Sequence, residues 1–152
     1  NISVWDNLCI ALNTKKTFIA SLFYTLNKTD HDKVISAIKT INLENKKNFT
    51  AKKLSHGEKQ WLEIGMLLMQ EPDLLLIDEP VAGMTEFETL NTATLLKTIA
   101  KKRTVLVVEH DMNFVESLDV EIVVLHEGAV LTRGNMNSIK KNQQVIDVYL
   151  GR

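Results

Sequence analysis

Leu74-Leu75-Leu76-Ile77-Asp78-Glu79-Pro80 is the stretch around which the rest of the chain arranges itself. Four apolar residues run directly into two adjacent carboxylates, and a proline then ends the run. A segment apolar on both faces suits a strand buried in a parallel sheet with helices on either side. Asp78 and Glu79 then fall at the carboxyl end of that strand, the place where open α/β sheets take their ligands. Two acids there are costly unless a positive group uses them, and a magnesium ion carrying nucleotide phosphates is the usual one. The plainer alternative is a core strand whose acids only mark the start of a loop.

Beyond Pro80, residues 81–85 read as a loop and 86–101 as a helix through Phe87, Leu90, Ala93, Leu96 and Ala100. Thr104 to Glu109 is a second β-branched strand, ending at His110. Strand, helix, strand is a crossover unit with parallel strands. Neighbouring strands would set His110 on the same sheet edge as Asp78 and Glu79, although a histidine at a strand end is often just a polar loop residue. Asp111 can cap a short helix with Met112, Val115 and Leu118. Residues 121–125 and 129–132 alternate about Glu127-Gly128 as a hairpin. A final helix is expected over Ser138–Leu150.

Upstream, Leu54-Ser55-His56-Gly57-Glu58 opens a helix that runs to Gln70, with Leu62, Met66 and Met69 at helical spacing and Pro72 just past its end. A serine and a glycine at a helix start can aim a hydroxyl and free N–H groups at a phosphate. Ser55 can equally be a simple cap with Glu58 as its reciprocal partner, and the two readings are compatible. Before it, residues 44–53 are polar and lysine-rich and read as a loop with a solvated basic surface. Helices are expected over residues 3–12, with Ser3 and Asp6 at capping spacing, over Phe18–Leu26, and through Val34, Ile35, Ile38 and Ile41, with Asp30 or Asp32 as cap.

The 152 residues suffice for one sizeable core. Lys and Arg number 18 against 19 Asp and Glu, a net charge of -1, so nothing electrostatic favours nucleic acid or an anionic membrane surface. One cysteine, Cys9, cannot form an internal disulfide; it fits a reducing compartment and reads as a small buried apolar residue. No apolar run approaches the roughly 20 residues that span a bilayer, and no signal-peptide pattern is present.

Taken together and in order, Leu-Ser-His-Gly-Glu (54–58), Leu-Leu-Leu-Ile-Asp-Glu-Pro (74–80) and a strand ending in His110 resemble the ABC-type ATPases. They are similar to the signature motif, the Walker B strand and the switch-histidine loop of that family. Each motif alone is weak, and the ordered set, together with the hairpin and last helix, covers the whole chain. Residues 79–85 and 145–152 resemble the ATP-binding subunits of branched-chain amino acid and urea importers, closest to the urea type. The resemblance implies an α/β fold: part of a P-loop NTPase sheet with strands near 74–78, 104–109 and 121–125, flanking helices, a helical subdomain over residues 1–53 and the ATPase core over 54–152. It implies ATP and Mg2+ as cofactors. Asp78 would hold the metal, Glu79 would polarise the attacking water, and His110 would sense the γ-phosphate. Ser55, His56, Gly57 and Glu58 would face ATP held by a second subunit, and the loop at Ala82-Gly83-Met84 would pass between the two sites. Implied partners are that second ATPase subunit and membrane permease subunits contacted by the helical region. The implied location is cytoplasmic, peripheral on the inner face of the cell membrane.

The sequence departs from the family pattern in places. His56 stands where a second glycine is common and Glu58 where glutamine is. Thr85 or a near neighbour stands where the loop after Walker B often has aspartate. No Gly-x-x-x-x-Gly-Lys-[Ser/Thr] occurs, and none of the six glycines precedes a lysine. The chain is therefore read as the C-terminal portion of such an ATPase, binding Mg-ATP feebly by itself and not turning it over. The alternatives are a soluble ABC ATPase of translation or DNA repair, and a non-catalytic piece acting only in dimerisation or docking.

Overall fold

A computed structural model describes residues 2–13 and 27–150; the helix expected over Phe18–Leu26 lies outside them. The chain divides into two units, residues 1–108 and 109–152.

In the first unit, α1 (Val4–Ala11) starts at Ser3, whose hydroxyl accepts from the Asp6 amide while Asp6 bonds back to Ser3. Two further amides of its first turn, those of Val4 and Trp5, donate to the carbonyls of Phe49 and Lys47, so helix-start donors that the helix itself cannot satisfy are used. The second helix, α2 (Lys28–Thr40), is capped by Asn27, which accepts from the Asp30 amide at 2.8 Å. This corrects the expected cap. Asp30 is instead buried in the first turn, and Asp32 is already inside the helix. Residues 44–53 hold two short 3-10 turns, Glu44–Lys46 and Ala51–Lys53. The basic surface expected there is not wholly solvated, since Lys46 Nζ reaches Glu58 Oε1 at 2.5 Å.

Helix α3 (His56–Met69) packs against both α1 and α2. Val4, Leu8, Val34, Ile38, Ile41, Leu62 and Ile64 form the buried seam. Gly65 permits the approach: a Cβ there would lie 2.8 Å from Ile41 Cδ1 and 3.2 Å from Leu8 Cδ2. The removal of this apolar area from water, at about 25 cal/mol per Å², is the main force holding the three helices together.

Strand β1 (Leu74–Asp78) pairs in parallel with β2 (Thr104–Val108), in a register that runs from Leu74 opposite Thr104 to Asp78 opposite Val108. The connection is α4 (Glu86–Ala100), which packs on β2. The parallel pair is as expected, but burial on both faces is not. Leu75 and Ile77 are 2% and 6% exposed, whereas Leu74 and Leu76 are 49% and 65% exposed. Side chains alternate across the pleat, and only the Leu75/Ile77 face is covered; Leu106 and Val108 on β2 are likewise open. The buried face of α4 also differs from expectation. Thr92, Ala93, Leu95, Leu96 and Ile99 are inside, while Phe87 and Leu90 are exposed.

In the second unit, Asp111 accepts from the amides of Asn113 and Phe114 and so caps α5 (Met112–Leu118), as expected. Strands β3 (Ile122–His126) and β4 (Ala129–Gly134) form an antiparallel hairpin. Its turn residues Glu127 and Gly128 have φ of 49° and 78°, the pair of positive values that a type I′ turn requires. Among the described residues of the second unit, β3 pairs with β4 alone. The single last helix is corrected as well. Asn135 caps α6 (Met136–Ile139), the chain breaks at 140–142, and Asn142 caps α7 (Gln143–Val145), which runs into a π-helical turn over Ile146–Leu150. Asparagines that bond the following amides compete with helix propagation.

Candidate functional site

The turn at 54–58 is built by reciprocal capping. Ser55 Oγ accepts from the Glu58 amide at 3.2 Å, and Glu58 Oε2 accepts from the Ser55 amide at 3.0 Å. Burial raises the Glu58 carboxyl, but the Lys46 hydrogen bond, the Ser55 amide and the Lys46 charge outweigh it and leave it below the usual glutamate range. The simple capping role of Ser55 is therefore present, and Glu58 is turned back onto the cap and Lys46.

Ser55 does more than cap. Its hydroxyl donates to Glu88 Oε1 at 2.8 Å. Glu88 belongs to the next helix start, where Thr85 Oγ1 accepts from the Glu88 amide while the amide and hydroxyl of Thr85 donate to Glu88 Oε2 at 3.0 and 2.9 Å. The Thr85 amide, the Ser55 hydroxyl, the Thr85 hydroxyl and the Gly57 amide together hold the Glu88 carboxyl below its usual range, against a smaller opposing effect of burial. Glu88 lies close over Gly57: a Cβ there would sit 2.7 Å from Glu88 Oε1, so a side chain at 57 would displace that flexible carboxylate.

His56 forms the second tie between the same segments. Its Nε2 is 3.0 Å from the carbonyl oxygen of Ala82, in the loop that follows the acidic pair. Gly83 beside it has a φ of 70°, in the left-handed region where glycine is favoured. A deeper tie lies beneath: Trp61 Nε1 donates to Thr92 Oγ1 at 2.8 Å, and Thr92 donates to the Glu88 carbonyl. The structure thus joins the 54–58 turn to residues 82–92. The Thr85–Glu88 pair has a readable Thr-x-x-Glu spacing that sequence reasoning passed over.

Asp78 ends β1 opposite Val108, and both Asp78 and Glu79 are exposed. Glu79 has a φ of 46°, and its amide is fixed by the Val108 carbonyl at 2.9 Å. A non-glycine residue in the left-handed region costs on the order of 1–2 kcal/mol, and such outliers cluster at functional sites. No group of three or more metal-ligating side chains occurs among the described residues. An exposed carboxylate pair still suits magnesium, which is held by one or two carboxylates and completes its shell with water and substrate phosphates. In the second unit, the buried side chain of Glu109 accepts from the amides of His110 and Asp111 at 2.9 and 3.2 Å, while the His110 side chain is 76% exposed. Sequence reasoning treated Glu109 only as the end of a strand.

The sequence model of the ABC transporter family matches residues 1–82. The branched-chain amino acid transport ATP-binding protein BraF of Pseudomonas aeruginosa is 35% identical over 157 residues, covering 96% of this chain and 61% of the relative. The corresponding LivG protein of Escherichia coli K12 is 32% identical over 122 residues, covering 79% and 48%. The chain thus spans about half to three fifths of the length of these relatives. Among solved structures, an ATP-binding cassette of an ABC transporter in its ADP conformation superposes with a TM-score of 0.79 at 23% identity, over 99% of this chain and 63% of that one. A second structure of that cassette gives 0.80 at 24% identity, over 98% and 63%. These structures support the fold, α/β as the sequence implied. With the family match extending over 82 of its 152 residues, the chain belongs to the ABC transporter family.

Proposed function

We propose that this chain is the part of an importer's ATP-hydrolysing subunit that carries the signature turn, the acidic strand end and the switch histidine. The observation that carries the reading is the Asp78–Glu79 pair at the end of a parallel strand, with Glu79 held at positive φ. Asp78 would hold Mg2+, directly or through water. Glu79 would take the proton of the attacking water, and His110 would contact the γ-phosphate. Ser55, His56 and Gly57 would face ATP on a second subunit, with Glu58 supporting the turn. His56, in place of the more common glycine, gains a tie to Ala82.

The bound magnesium and ATP would supply the electrophilic phosphorus and its charge neutralisation. The chain's residues would supply position and a proton acceptor. Partners on this reading are a second ATPase subunit and membrane permeases, with residues 1–53 as the subdomain that meets the membrane partner. The location is the inner face of the cell membrane. The names of BraF and LivG favour branched-chain amino acids as the solute; the wording of residues 79–85 and 145–152 keeps urea as the finer alternative.

The test is Glu79→Gln in a subunit that joins these residues to a phosphate-cradling loop, reconstituted with its permease in vesicles. Amide for carboxylate keeps the shape and removes the base, so ATP turnover should fall at least about a hundredfold, within the usual range for general-base loss. Nucleotide binding should persist. Turnover within twofold of wild type would sink the assignment.

A further inference from the structure

The Glu88 contact reaches beyond the capping of its own helix. Its two oxygens divide between two tasks: Oε2 accepts from the amide and hydroxyl of Thr85, whereas Oε1 accepts from the Ser55 hydroxyl 33 residues away. It lies over Gly57, where a Cβ would sit 2.7 Å from that same oxygen and would push the flexible carboxylate aside. We propose that Glu88 is an autoinhibitory occupant of the Ser55–Gly57 turn, its carboxylate engaging the Ser55 hydroxyl that a phosphate would need until Oε1 swings away. This rests on the reading of that turn as phosphate-facing and adds an internal competitor to it.

The chemistry is matched. A carboxylate oxygen and a phosphate oxygen accept from the same donors, and charge-assisted bonds of this kind are the stronger ones. Release is local. Turning Oε1 away from Ser55 leaves Oε2 with Thr85, so α4 keeps its cap while the turn opens. The Trp61–Thr92 bond beneath keeps α3 and α4 in place as this happens.

The experiment titrates the protein with inorganic phosphate and follows the Ser55 and Gly57 amide signals by NMR in wild type, Glu88→Gln and Glu86→Gln. Glutamine is competent in a capping box but offers one acceptor oxygen where glutamate offers two, so α4 stays capped and Ser55 is released. The half-saturating phosphate concentration should fall about three- to tenfold in Glu88→Gln, as expected for the loss of one competing hydrogen bond. In Glu86→Gln, which removes an equal charge two residues away in the same turn, it should move less than twofold. Equal half-saturation in wild type and Glu88→Gln, an equal fall in both variants, or phosphate leaving Ser55 and Gly57 unmoved would each overturn the proposal. No ATP is used. An unchanged turnover in Glu79→Gln would sink the function while leaving this result intact, and an unaltered phosphate response would remove only the competitor.

Discussion

Trp61 and Thr92 offer a measurable handle on how firmly the 54–58 turn is held. Both are buried, at 7% and 0% exposure, and the indole N–H donates to the threonine hydroxyl at 2.8 Å. Thr92→Val keeps the volume but leaves a buried indole N–H without its acceptor and deletes the bond to the Glu88 carbonyl. That change should cost about 2–3 kcal/mol, most of it the desolvation of the orphaned donor. Trp61→Phe removes the donor and part of a large buried ring. Thr92 still donates to Glu88, so the loss is mainly packing, about 2 kcal/mol. With both changed, no donor is stranded, and the sum should fall short of additivity by about 1–2 kcal/mol. Urea unfolding followed by far-ultraviolet circular dichroism gives the four stabilities, and each kcal/mol should move the melting temperature by about 2–4 °C in a chain of this length. Additivity within about 0.3 kcal/mol would refute the argument, because it would mean that the two groups do not depend on each other.

Other outcomes follow from the same geometry. The depressed carboxyls of Glu58 and Glu88 contribute stability that is fully present above the ordinary glutamate value and is lost as pH falls below about 4.5 through their folded midpoints. Melts between pH 6 and pH 3 should show a shallower decline for Glu88→Gln than for wild type; parallel curves would contradict the assigned bonds. Leu75→Ala should cost about 2–5 kcal/mol in denaturant unfolding, while Leu76→Ala, at 65% exposure, should change stability by less than about 0.5 kcal/mol. Equal losses would show that both faces of β1 are covered. These 152 residues hold no phosphate-cradling glycine-lysine loop, so calorimetry of this chain with Mg-ATP should give a Kd of about a millimolar or weaker. Micromolar binding would require another surface to hold the β- and γ-phosphates.

The sequence disclosed those features that depend on neighbours in the chain. Ser3, Ser55 and Asp111 cap where a short polar residue precedes an apolar period, and Glu127-Gly128 makes the turn that its residues favour. It failed where the answer lies between distant segments. Leu74 and Leu76 are as apolar as Leu75, so nothing local says which face is covered. Phe87 and Leu90 fit a helical stripe, yet α4 turns Thr92 inward because Trp61 supplies a donor for it. Asn27 displaced Asp30 as the cap by lying three residues earlier with the same chemistry. At the candidate site, the Ser-His-Gly turn and the acidic pair were legible from residue order. The role of Glu88 was not, because its contact spans 33 residues and only its local capping spacing appears in the text.

The backbone of Glu79 ties durability against activity at a single position. Glycine would adopt a φ of 46° without penalty, and asparagine nearly so, so random mutagenesis selected only for heat resistance should enrich both there. Each would delete the carboxylate proposed as the base. The residue that hinders the fold at position 79 is the one proposed as the base, and on that proposal a chain stabilised in that way would lose turnover.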